Sequence, residues 1–284
     1  MAEAFYIPLK NRSVIRLSGG DAKKFLQGIL TKNMEKLAEH QAVYALMLTP
    51  QGKFLYDFFI VQTPDALLLD CDTASLPEIL KRLAMYKLRA DVAFEDVSKE
   101  YEVLALPGHS EPGEIPGAAK VFQGGIAFAD PRTVAMPVRA ILPRSQRKSL
   151  QEAGFSERSM EEYKKLRIVC CIPDTALDMV QEKSFPLHFR MDALNAIDFD
   201  KGCYVGQEVT TRTKHLGVVR KTIFTVKGAG NVLPVPGTAI ISGDKTVGEL
   251  LSSIGNIGLV MLEKEAISGT LLAGDVLLEL VPMA

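Results

Sequence analysis

The residues best suited to chemistry lie in one run, Lys201-Gly202-Cys203-Tyr204-Val205-Gly206-Gln207-Glu208, with Arg212 four residues on. A thiolate is both a nucleophile and a metal ligand. A neighbouring ammonium and a following helix N-terminus both raise the thiolate fraction of an exposed cysteine. Lys201 and the segment after Gly206 offer these two features to Cys203. Gly202 and Gly206 permit positive φ or close approach of another group. Tyr204 suits stacking on a flat ligand, or plugging a gap in a core. The alternative for Cys203 is a buried small hydrophobe, the commonest use of a free cysteine.

Other chemical signatures are missing. There is no GxxxxGK[ST] loop. Gly228-Ala229-Gly230 lacks the third glycine and the strand-then-helix setting of a dinucleotide site. The four histidines show no paired ligand spacing, so no metal site is expected. Cys71, Cys170, Cys171 and Cys203 form neither a disulfide framework nor a zinc ribbon. Adjacent Cys170 and Cys171 read as small core residues, since a bridge between neighbours is strained. Free thiols point to a reducing compartment, and the expectation is a cytoplasmic chain. Lys plus Arg is 33 against 34 for Asp plus Glu, a net charge of −1, which argues against nucleic acid as a main partner. No apolar run reaches the length of a membrane span. With 284 residues, 47% of them hydrophobic, the chain can bury a large core without staples.

Elements must position that run. The spacing of Phe25, Leu26, Ile29 and Leu30 predicts a helix over 22–37 with Asp21 as N-cap. Residues 43–48 and 53–62 flank the turn Thr49-Pro50-Gln51-Gly52 and predict a hairpin, followed by a strand at 66–71. Capping boxes at Ser75…Glu78 and Ser159…Glu162 predict helix starts. The segment 107–125 reads as a Gly/Pro-rich loop. Residues 171–208 lack periodicity, which in a compact protein marks a functional stretch. After residue 216, five or six short strands separated by Gly and Pro predict a small antiparallel barrel.

The KGCYVGQE run resembles the signature of the YgfZ family, folate-binding proteins implicated in iron–sulfur cluster assembly and repair. That family is related to the T-protein (aminomethyltransferase) of the glycine cleavage system. Supporting segments are Phe25 to Thr31, Leu48 to Lys53, Met85-Tyr86-Lys87-Leu88-Arg89, Pro236-Gly237 and Val247-Gly248. The resemblance implies an α+β, three-lobed fold around a central channel, with two α+β lobes and a C-terminal barrel. The expected lobes are 1–45 with 145–216, carrying the cysteine loop; 46–144; and the barrel over 217–284. It implies tetrahydrofolate or a one-carbon derivative in the channel, beside the loop.

The roles that follow are Cys203 as the key thiol, Lys201 tuning it, Tyr204 stacking, and Gln207 and Glu208 holding the loop by hydrogen bonds. Gly202, Gly206 and Gln27 are placed at the cofactor, and Arg89, Arg190 and Arg212 are candidates for a polyglutamate tail. T-proteins carry two adjacent acids after the hairpin turn; here the pair is Tyr56-Asp57, so one acid remains. By strand alternation these two point to opposite faces. Val169 stands where the related pattern has a glutamate that pairs with the pterin. The leading expectation is a monomeric accessory protein for iron–sulfur enzymes or their assembly proteins that binds reduced folate. The alternative is a folate-dependent aminomethyl- or methyltransferase using Asp57. A third is an interaction module whose folate site has decayed.

Overall fold

The computed structural model describes residues 4–217 and 219–282. At its centre runs β4 (Phe54–Gln62), buried over all but its last residue. A strand covered on both faces is apolar throughout, and Asp57 is the one charge within it. β4 pairs with β3 (Ala42–Leu48) and β5 (Leu67–Asp72). β5 pairs with β2 (Arg12–Ser18), which pairs with β6 (Ala93–Asp96). The order of this five-stranded sheet is β3-β4-β5-β2-β6. One face is covered by α1 (Ala22–Ile29) and α2 (Leu76–Lys87), through Phe25, Leu26, Ile79 and Leu83.

A second sheet has the order β11-β1-β7-β10-β9-β8. Its strands are β1 (Ala4–Pro8), β7 (Tyr101–Leu106), β8 (Ala119–Phe122), β9 (Gly125–Phe128), β10 (Val138–Pro143) and β11 (Phe155–Glu157). Leu150 of α3 (Arg147–Glu152) packs against its outer face. Helices α4 (Met160–Val169), α5 (Thr175–Asp178) and α6 (Gln207–Leu216) follow. The closed barrel comprises β12 (Lys221–Gly228), β13 (Ala239–Ser242), β14 (Lys245–Ile254), β15 (Ile257–Glu263), β16 (Leu271–Ala273) and β17 (Val276–Leu280). One apolar core joins all three units, with Phe59 from the first sheet, Ile141 from the second and Leu259 from the barrel. The architecture is the α+β, T-protein-like one.

Several local expectations are corrected. α1 stops at Ile29 rather than reaching 37. Leu30 turns extended and bridges to Met47, and the Thr31 hydroxyl donates to Ala196 O and accepts from Leu46 N. These bonds to the sheet replace further helix. Asp21, Ser75 and Ser159 make no side-chain cap; Asp21 instead accepts from Asp91 N. The expected loop 107–125 contains β8, hairpinned to β9 through Gln123 and Gly124, both at positive φ. The sheets do not divide at 46 and 144: the first holds strands between 12 and 96, the second those at 4–8 and 101–157. The irregular 171–208 stretch is ordered and apolar where it enters the core, at Ile172, Met179, Phe189 and Met191.

The two sheets are joined by buried charges. Asp70 of β5 accepts from Arg12 Nε and Arg139 Nε, both at 2.6 Å. Arg12 also reaches both Asp57 oxygens at 3.3 Å. Arg139 of β10 and Arg132 each donate to the Tyr163 hydroxyl at 3.1 Å, and Arg132 pairs with Asp130. All three guanidinium groups lie near the Phe59 ring, at 5.6, 3.9 and 4.7 Å for Arg12, Arg139 and Arg132. Removing one partner of a buried ion pair strands the other charge. Asp70→Ala is therefore expected to lower unfolding free energy by about 3–5 kcal/mol, measured by urea denaturation; a loss near zero would show that the arginines repartner freely.

Candidate functional site

The site has two parts, and the structure separates them. The first is a cavity of about 1000 Å³ between the start of β4, the start of α2, α4 and the α5 region. Leu55, Tyr56, Ile79, Met160 and Met179 supply apolar wall. Asp57, Asp72 and Asp174 supply acceptors, and Lys10, Arg158 and Lys164 supply cations. This size and mixture suit a small organic ligand.

Asp57 points toward the buried charges, while Tyr56 belongs to the core beneath α1 and α2, as strand alternation requires. Burial pushes the Asp57 carboxyl up, but Arg12 and the hydrogen bond from Thr175 Oγ1 at 2.7 Å outweigh it and hold it below the usual range. Asp57 is thus a fixed anion at neutral pH, with Oδ1 shared by Thr175 and Arg12 and Oδ2 on Arg12. It is poorly placed to donate a proton.

The second part is the cysteine loop. Cys203 is exposed, whereas Cys71 and Cys171 are buried and Cys170 is half-buried. Lys201, expected to tune the thiol, turns inward and is 5% exposed. Its Nζ donates to Gln27 O at 2.8 Å, Leu30 O at 2.5 Å and Lys32 O at 2.9 Å. These carbonyls lie where α1 ends, so the ammonium satisfies groups that a helix terminus leaves unpaired. Gln207 Nε2 donates to Lys201 O, and Val205 N donates to Gly28 O, closing the loop onto α1.

Tyr204 is buried beside Lys201, with the ring 4.9 Å from Nζ, so it fills core rather than stacking on a ligand. Burial pushes its hydroxyl up to about 12. Gly206 has φ +86, and a Cβ there would meet Thr49 O at 2.5 Å and Gly52 Cα at 3.2 Å. Its role is close approach to the β3–β4 turn. Gly202 has open space around it, and exposed Glu208 makes no side-chain hydrogen bond among the described residues, so Glu208 does not hold the loop as expected.

None of residues 201–208 lines the cavity. Gln27, which accepts from Met34 N, Arg89, Arg190 and Arg212 do not line it either. Val169 is 44% exposed and likewise outside the lining, so its missing carboxylate does not alter the cavity. The sequence reading missed Arg12, Asp70, Arg139 and Thr175. A signal existed: Asp57 inside FLYDFFIV and Asp70 inside LLLDC are acids within apolar strand segments, and such acids demand buried partners. Among the described residues, no group of His, Cys, Asp and Glu is arranged to hold a metal ion.

Residues 7–121 match the GCVT N-terminal domain family, and residues 220–283 match the CAF17 C-terminal beta-barrel domain. The chain is 32% identical to the iron–sulfur cluster assembly factor IBA57, mitochondrial, of Homo sapiens, over 93% of this chain and 78% of that protein. It is 31% identical to the Mus musculus protein of the same name, with the same coverages. The IBA57 homolog of Coccidioides immitis is 30% identical, over 96% of this chain and 74% of its own. The crystal structure of glycine cleavage system aminomethyltransferase T from Bartonella henselae superposes with a TM-score of 0.81 at 14% identity, covering 99% of this chain and 85% of that one. That likeness concerns the fold. The cytoplasmic expectation is corrected, because these relatives are named mitochondrial. Free thiols require only a reducing compartment and do not choose between the two.

Burial pushes Lys201 down to about 8 from 10.5. Lys201→Met would leave three carbonyls without their donor, and is expected to destabilise the protein by about 1–3 kcal/mol while speeding Cys203 alkylation. The folded pKa lies below the unfolded one, so the folded chain releases this proton first. Stability of the wild type relative to Lys201→Met should therefore rise between pH 8 and 10.5. Parallel denaturation curves across that range check it; a flat difference would contradict the depressed pKa.

Proposed function

The chain belongs to the IBA57 family of iron–sulfur cluster assembly factors, and on that premise we propose that it serves iron–sulfur cluster assembly through Cys203. The observation that carries the reading is the placement of this thiol. It is the exposed one of the four, and its loop is pinned to α1 on both sides. Clusters are commonly held by four thiolates. With no group of three or more His, Cys, Asp or Glu side chains arranged to hold a metal among the described residues, the remaining ligands would come from a partner protein. Lys201 then acts by fixing the loop. Cys203→Ala should fold normally and fail to restore iron–sulfur enzyme activity in cells lacking the protein; full restoration would leave the thiol without a role.

We further propose that the 1000 Å³ cavity takes a reduced folate. The volume, the apolar wall and the charges fit such a ligand. Asp72 and Asp174 are the acceptors for ring N–H groups, and Lys10, Arg158 and Lys164 are the cations for a glutamate tail. A bound folate would supply one-carbon chemistry at its pterin. The aminomethyltransferase alternative has less support, because Asp57 is neutralised by Arg12 and occupied by Thr175. A ligand that binds only the folded state raises its melting temperature. Millimolar 5-formyltetrahydrofolate should produce such a rise, reduced by Asp174→Ala; no shift would count against folate in this cavity.

A further inference from the structure

A separate recess lies where the barrel meets the lobes, away from both Asp57 and Cys203. It measures about 510 Å³. Leu187, Ile223, Phe224 and Ile267 give it an apolar wall. Arg190, Lys214 and Lys264 line it with positive charge, against the single acid Asp192. Asp192 is neutralised by Lys214 at 2.5 Å, and nearby Glu263 pairs with Lys221 at 3.4 Å. Arg190 and Lys264 make no ion pair among the described residues, nor does Arg220, whose carbonyl accepts from Lys264 N. The same positive field reaches the neighbouring His188. Burial lowers the His188 pKa, and Lys221, Lys53 and Lys264 lower it further.

The recess continues onto α6 through Lys214, and the last turns of that helix are exposed. α6 buries only Thr210, and Arg212, Lys214, His215 and Leu216 are exposed, Leu216 by 66%. A helix of this length offers roughly 15 Å of surface, far more than a small anion would touch. Unpaired cations beside exposed apolar side chains call for an acidic partner with apolar residues between its charges.

We propose that this recess and the exposed side of α6 form a docking site for an acidic polypeptide segment of a partner protein. Unpaired Arg190 and Lys264 receive its carboxylates. Leu216 and Ile267 receive its apolar side chains. The proposal does not depend on folate binding or on the reactivity of Cys203.

The test is fluorescence anisotropy on the full chain with a short labelled peptide of alternating glutamate and leucine. Binding should weaken with salt. Lys264→Glu, a surface change, and Arg190→Glu should each weaken it roughly tenfold. The double variant Lys81→Glu with Lys99→Glu, which alters exposed lysines elsewhere, should leave it unchanged. Equal weakening by that control, or no binding by the wild type, would overturn the proposal. Displacement of the peptide by equimolar inorganic pyrophosphate would instead assign the recess to small anions and overturn it as well.

Discussion

The structure depends on placing three arginines and three aspartates in an interior that no single lobe could build. Arg12, Arg132 and Arg139 balance Asp57, Asp70 and Asp130, and Phe59 provides the flat surface they share. Asp70 is shared by arginines from two different sheets. Each charge is tolerable only because the others are in place. The sheets are therefore locked in mutual register by electrostatics, in addition to their common apolar core. This lock also decides the chemistry of the cavity. The one acid of β4 is committed to structure, which leaves Asp72 and Asp174 as the cavity's uncommitted aspartates.

The same economy governs the cysteine loop. The loop is rigid because a buried lysine gathers three carbonyls at the end of α1, and because Thr31 and Asp198 tie the following residues to the sheet. Asp198 accepts from Lys32 and from Asn33 N, while its own N–H donates to Thr31 O. Lys201 and Tyr204 are thus internal supports, and Cys203 between them is presented outward. A fixed exposed thiol costs less ordering entropy when it meets a partner than a mobile one does.

Much of this was legible in the sequence, and the exceptions have physical causes. The hairpin around Gly52 and the C-terminal barrel could be read from turn residues, alternation and composition. The length of α1 could not. Its apolar spacing continues past Ile29, but the Leu30–Met47 bridge and the bonds of Thr31 override helix propensity. Lys201 looked like a partner for the thiol because adjacency along the chain says nothing about which way a side chain turns. Arg12 and Arg139 carried no signal of their own in the sequence, since their partners lie on distant strands. Asp57 carried the right hint, an acid in an apolar strand, but only the tertiary structure showed what neutralises it.

Gly52 and Gly206 meet at the β3–β4 turn, where a Cβ on Gly206 would clash with Thr49 O and one on Gly52 would crowd Thr210 and Val209. One belongs to an early hairpin and the other to the loop just before α6, so their contact closes late in the life of the nascent chain. Until the C-terminal half of the lobes has been synthesised and docked, the turn has nothing to seat against and the thiol has no fixed address. Fixed presentation of Cys203 is in this sense a certificate of completed folding: a half-assembled chain carries the same cysteine but does not hold it in place.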